Sequence, residues 1–69
     1  MDMKNINTFI YTAELGSFTK AAELLGYSQS TVSFQIRQLE EELGTVLFER
    51  INRTVTLTDR GKEILRYAH

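Results

Sequence analysis

The 69 residues contain no cysteine and no proline. The first absence excludes disulfides and thiolate metal sites. The second removes the strongest helix breaker and suits a chain made mostly of helix. No apolar run approaches the roughly 20 residues that span a bilayer. The chain opens Met1-Asp2, without a basic segment ahead of an apolar one, so no export signal and no membrane contact are read, and a cytoplasmic location is expected. Histidine occurs once, as His69. A terminal histidine cannot anchor a Ser-His-Asp set. Glu40, Glu41 and Glu42 are consecutive, so on a helix they do not converge as an acid/base pair. No enzymatic activity and no cofactor are expected of this stretch.

A chain this short makes one domain at most and buries only about 60 % of the surface its unfolded form exposes. Its formal net charge of −1 argues by itself against a polyanion partner. The distribution of charge argues the other way. Residues 27–39 carry Arg37 and no acid, and residues 50–58 carry Arg50 and Arg53 and no acid. These windows are candidate surfaces for a polyanion. Glu40, Glu41 and Glu42 read as a solvated face that repels such a partner.

Apolar spacing marks four helices. Ile6, Phe9, Ile10 and Ala13 form an i, i+3, i+4, i+7 stripe, with Asp2 as N-cap and Gly16 as stop. Ser17 caps a second helix whose inner face is Phe18, Ala21, Ala22 and Leu25, ended by Gly26. Ser28 caps a third with Val32, Ile36, Leu39 and Leu43 inward, closed by Gly44. The period then changes. Val46-Leu47-Phe48 and Val55-Thr56-Leu57 read as two strands around a loop at residues 49–54 with a basic tip. Thr58-Asp59 caps a last helix carrying Ile64, Leu65 and Ala68. It has no stop signal before His69, so a longer helix is expected. The expected fold is mainly α: a winged helix-turn-helix with a three-helix core, a two-stranded hairpin wing and the start of a linker helix.

Function concentrates between Thr19 and Leu39. The joint Gly26-Tyr27-Ser28 is tight and needs a left-handed residue, which Gly26 supplies. Ala22 is small where two helices must cross, and Val32 packs the third helix back on the second. With Val32, Ile36 and Leu39 inward, Gln29, Ser30, Ser33, Phe34 and Arg37 point outward. Gln and Arg have the geometry to read base edges, and serine is small enough to approach phosphates. The helix start at Ser28 offers free backbone N–H groups to a phosphate. Arg50, Asn52 and Arg53 at the wing suit the minor groove or the backbone. A winged helix that binds protein instead of DNA is the rival reading. The acidic balance and the exposed aromatic Phe34 favour it, and the arginines flanking a Gln/Ser face oppose it.

Several segments together resemble one family. They are Glu14-Leu15-Gly16-Ser17-Phe18-Thr19-Lys20-Ala21-Ala22, Tyr27-Ser28-Gln29-Ser30-Thr31-Val32-Ser33, Gln35-Ile36-Arg37-Gln38-Leu39-Glu40, Leu43-Gly44, Leu47-Phe48-Glu49-Arg50 and Leu57-Thr58-Asp59-Arg60-Gly61. In order and without gaps, they resemble the N-terminal domain of LysR-type transcriptional regulators. The resemblance implies a DNA-binding domain at residues 1–58 and a truncated dimerisation helix at 59–69. It implies a recognition helix from Gln29 to Leu43 in the major groove and a wing at 50–54 on the minor groove or backbone. Gln29, Ser30, Ser33 and Phe34 would face bases, and Ser17, Thr19 and Thr31 would lie near phosphates. Ile64, Leu65 and Ala68 would pair two subunits. The implied partners are double-stranded DNA carrying an interrupted inverted repeat and further copies of the protein, as dimer or tetramer. A small effector would bind only through a C-terminal domain outside this chain. Two positions depart from the family. Serine stands at position 30 where proline is usual, and proline in a first helical turn is favoured but dispensable. Phe34 stands where a basic or hydrogen-bonding residue is frequent, so base preference there is not carried over.

Overall fold

The computed structural model describes residues 2–51 and 54–68. Helix α1 spans Met3–Leu15, α2 Phe18–Leu25 and α3 Gln29–Leu43. Strands β1 (Phe48–Ile51) and β2 (Thr54–Leu57) follow, then α4 (Asp59–Ala68). The order is that expected of a winged helix-turn-helix. The three N-caps act as read. Asp2 accepts the Lys4 N–H at 2.9 Å, Ser17 that of Lys20 at 3.1 Å and Ser28 that of Thr31 at 3.2 Å. Each such cap satisfies a helix-end donor and is worth about 1 kcal/mol.

The core gathers Phe9, Phe18, Ala22, Val32, Ile36, Leu39, Leu47 and Phe48. Phe48 lies between two other rings, 5.5 Å from Phe9 and 5.7 Å from Phe18, the latter edge-on at 74°. Ile6, Ile10, Ala13 and Leu43 are half-buried against this cluster. One face of α1 departs from the apolar stripe: Asn5, Thr8 and Thr12 are also buried. Asn5 donates its amide N–H to the Gln38 side-chain oxygen at 3.1 Å, and the Thr8 hydroxyl donates to that of Gln35. A directional polar layer therefore joins α1 to α3. The buried Thr12 hydroxyl has no hydrogen-bond partner among the described residues.

The wing corrects the expected strand limits. Residues 49–51, expected in a loop, pair in the ladder: Glu49 with Thr56, Arg50 with Val55 and Ile51 with Thr54. Val46 and Leu47, expected in the strand, precede it, and Val46 is 60 % exposed. The reason lies in their backbone partners. The Glu40 carboxylate accepts the Leu47 N–H at 2.8 Å. Thr58 donates its hydroxyl to the Val46 carbonyl at 2.7 Å and its N–H to the Leu47 carbonyl at 3.0 Å. These groups are engaged by α3 and by the start of α4, so no ladder can use them. The same contact corrects the reading of Glu40, which is half-buried and holds the wing to α3 instead of standing in solvent.

Helix α4 starts on Thr58, whose hydroxyl accepts the Gly61 N–H at 3.0 Å. Gly61 is buried, and a Cβ there would lie 2.3 Å from the Leu47 carbonyl oxygen. Only glycine lets the helix approach that backbone so closely. Ile64 and Leu65 pack partly against the shared core.

Candidate nucleic-acid interface

The joint between α2 and α3 is built by Gly26 at φ 75°. The N–H groups of Gly26 and Tyr27 both reach the Ala22 carbonyl, which closes the end of α2. Val32 is fully buried one turn into α3, and Ala22 nearly so. These contacts fix the roll of α3 and leave Gln29, Ser30, Phe34, Arg37 and Gln38 exposed, with Thr31 and Ser33 half-buried.

At the start of α3 three hydroxyls meet. Ser28 Oγ lies 3.0 Å from Ser30 Oγ and 2.9 Å from Thr31 Oγ1. The serine that replaces the family's proline thus joins a hydroxyl cluster around the cap. Ser17, Thr19, Gln29 and Arg50 line one shallow cleft between the starts of α2 and α3 and the wing. Ser33, Arg37 and Arg50 line a second, beside Glu40. Arg50 belongs to both clefts. Its guanidinium carbon lies 4.2 Å from the centre of the Phe18 ring. Neighbouring residues of a strand point to opposite faces, and Arg50 turns to the ring.

Phe34 lies on the outer face of α3, 60 % exposed, above a depression that, among the described residues, it shares with Arg37, Gln38 and Glu41 of its own helix. Asn52 and Arg53, expected at the wing tip, lie outside the described residues. Ile64 and Ala68 line an apolar groove with Met3, Ile6, Leu43 and Tyr67, away from the α3 face. Sequence reading missed the roles of Phe18 and Glu40. Phe18 was counted only as core, and the two-residue offset from Phe48 to Arg50, which puts both on one strand face, is the signal that pointed to its contact.

A short helix, a left-handed turn, a second helix with an open Gln/Ser face and a flanking two-stranded wing define a winged helix-turn-helix protein. The family model for bacterial regulatory helix-turn-helix proteins of the lysR family matches residues 3–62, and the chain belongs to that family. It is 48 % identical over 68 residues to the HTH-type transcriptional regulator YwqM of Bacillus subtilis, covering 99 % of this chain and 23 % of that protein. It is 47 % identical over 68 residues to the regulator IlvY of Escherichia coli, again covering 99 % and 23 %. The chain thus spans under a quarter of the length of these relatives. Among solved structures, the BenM DNA-binding domain in complex with catB site 1 DNA is similar at a TM-score of 0.93 and 43 % identity, covering 99 % of this chain and 76 % of that one. The CbnR DNA-binding domain in its DNA complex gives 0.93 and 38 %, covering 99 % and 78 %. These relatives are transcriptional regulators. No helix among the described residues is long and apolar enough to cross a membrane.

Proposed function

We propose that this chain is the sequence-specific, double-stranded-DNA-binding part of a bacterial transcription regulator that acts in the cytoplasm. One observation carries the reading. The α2–turn–α3 unit and the wing bring Ser17, Thr19, Gln29 and Arg50 to one cleft, and Ser33, Arg37 and Arg50 to the next. This surface offers bonding groups for bases and cations for phosphates. The relatives solved with DNA share the fold at 0.93. On this reading α3 enters the major groove. Gln29, Ser30, Ser33, Phe34 and Arg37 face base edges, and Ser17, Thr19, Ser28, Thr31 and Arg50 face the phosphate backbone. The wing follows the minor groove or backbone, the role the sequence expectation gives to Asn52 and Arg53. Selection of bound sites from a random duplex pool tests the reading. It predicts enrichment of a defined motif, and binding that weakens steeply with salt. A pool that stays random, or affinity flat in salt, overturns it in favour of a protein-binding winged helix.

Residues 1–58 make up the DNA-binding unit in this proposal, and residues 59–69 begin the helix that pairs two copies through Ile64, Leu65 and Ala68. A small-molecule effector, as the family resemblance implies, would be held outside these residues. The part of α4 present here is about three turns, and its apolar residues serve partly in the chain's own core. Residues 1–69 alone should therefore sediment as a monomer or weak dimer and pair better on a duplex carrying two half-sites. A tight dimer at low concentration without DNA refutes this.

A further inference from the structure

We propose that Phe18 is a positioning residue for DNA binding: the face of its ring holds the Arg50 guanidinium over the α2–wing cleft, already oriented for a phosphate. The inference rests on the reading of Arg50 as a phosphate contact. It goes beyond that reading by naming the side chain that sets the arginine.

The geometry comes from the core outward. Phe48 and Arg50 stand two residues apart on β1 and so on the same face of the strand. The Phe18 ring lies beside both: its centroid is 5.7 Å from that of Phe48, and Arg50 Cζ is 4.2 Å from its centre. Phe48 is packed in turn against Phe9 at 5.5 Å. Phe18 is only 5 % exposed, so its ring is fixed by the core, while Arg50 remains exposed. The guanidinium is planar and weakly hydrated, and it stacks flat on a ring face, which a tetrahedral, strongly hydrated ammonium cannot do. It can lie flat on the ring and still present its N–H fork at its edge. Phe18 is also the first residue of α2, directly after the Ser17 cap and next to Thr19, which line the same cleft. Core, arginine and helix start are thus joined through one ring. An arginine held this way loses less freedom when it meets a phosphate than one free to sweep through solvent.

The test measures affinity for a short labelled duplex of arbitrary sequence across a series of NaCl concentrations. The variants are Phe18→Leu, Arg50→Ala, Arg50→Lys and the double variant Phe18→Leu/Arg50→Ala, with thermal unfolding of each recorded alongside. Arg50→Ala should flatten the salt slope by about one unit. Phe18→Leu should weaken binding about two- to fivefold in the wild-type background and leave it unchanged in the Arg50→Ala background. Arg50→Lys, which alters no core residue, should keep the slope and lose the same two- to fivefold. Equal loss from Phe18→Leu in both backgrounds, or wild-type affinity in Arg50→Lys, overturns the positioning role. An unchanged slope and affinity in Arg50→Ala overturns instead the reading of Arg50 as a phosphate contact, and the positioning role with it.

Discussion

Replacing Gly61 by alanine adds a single methyl group at the most crowded of the four glycine positions. The new Cβ would sit 2.3 Å from the Leu47 carbonyl oxygen, 3.2 Å from the Leu47 carbonyl carbon and 3.0 Å from a Leu57 methyl. Contacts under 3.0 Å do not persist, so the two segments must part by roughly 0.7 Å or more. Leu47 is poorly placed to give way. Its N–H is held by Glu40, its carbonyl by the Thr58 N–H, and its side chain is fully buried. The start of α4 must lift instead, which strains the Thr58 cap. Overpacking costs about 1–3 kcal/mol, and main-chain atoms fastened on both sides put this site at the upper end. Alanine returns about 1 kcal/mol as the better helix former. The net loss of about 2 kcal/mol corresponds, in a domain of this size, to a fall in Tm of about 8–16 °C. Thermal unfolding followed by far-UV circular dichroism measures it, with the exposed neighbour Lys62→Ala as control. A Tm for Gly61→Ala within about 2 °C of wild type, or above it, would refute the reasoning.

Thr12→Val keeps the shape but removes the buried, unpartnered hydroxyl, and should raise stability by about 1 kcal/mol in chemical denaturation; a loss would mean the hydroxyl is satisfied in solution. Gln29→Ala should cost roughly 1–3 kcal/mol on the selected site with folding unchanged, and equal loss on arbitrary duplex would remove it from base reading. Phe34, exposed and without a neighbour from another helix or strand lining its depression, should contact a thymine methyl in the major groove. Replacing each thymine of the bound site by uracil should weaken wild type more than Phe34→Ala at one position at least, and the absence of any such position would sink the contact.

What could be read in advance was what short stretches decide. Asp2, Ser17 and Ser28 cap helices with their own neighbours, and Gly26 turns the chain within three residues, so adjacent residues suffice to place α1, α2 and α3. The change of period after Gly44 marked the wing, and the family resemblance added the likeness of α3 to a recognition helix. What could not be read depends on partners distant in sequence. Glu40 looks like its neighbours Glu41 and Glu42 until Leu47 folds back to it. Asn5, Thr8 and Thr12 look like solvent-facing residues until Gln35 and Gln38 cross two of them. The start of β1 was misplaced because Val46 and Leu47 have strand-forming side chains, while Glu40 and Thr58 occupy their backbone groups. Phe34 was read as outward from periodicity alone, and the fold leaves it there, in a depression that among the described residues is lined by α3.

The polar layer between α1 and α3 has a consequence for fidelity. Apolar surfaces tolerate small rotations, because a methyl group is satisfied by whichever neighbour it touches. A hydrogen bond is not so forgiving, and its strength falls steeply as donor and acceptor turn out of line. Gln35 and Gln38 are three residues apart along the flank of α3, and each is tied to α1. Together they act as two teeth in a keyway and resist axial slip of the helix. A one-residue slip turns every outward side chain by about 100° about the axis, since 3.6 residues complete a turn. On the proposed reading, the bases offered to Gln29 would then depend on these two ties to α1 as well as on Gln29 itself.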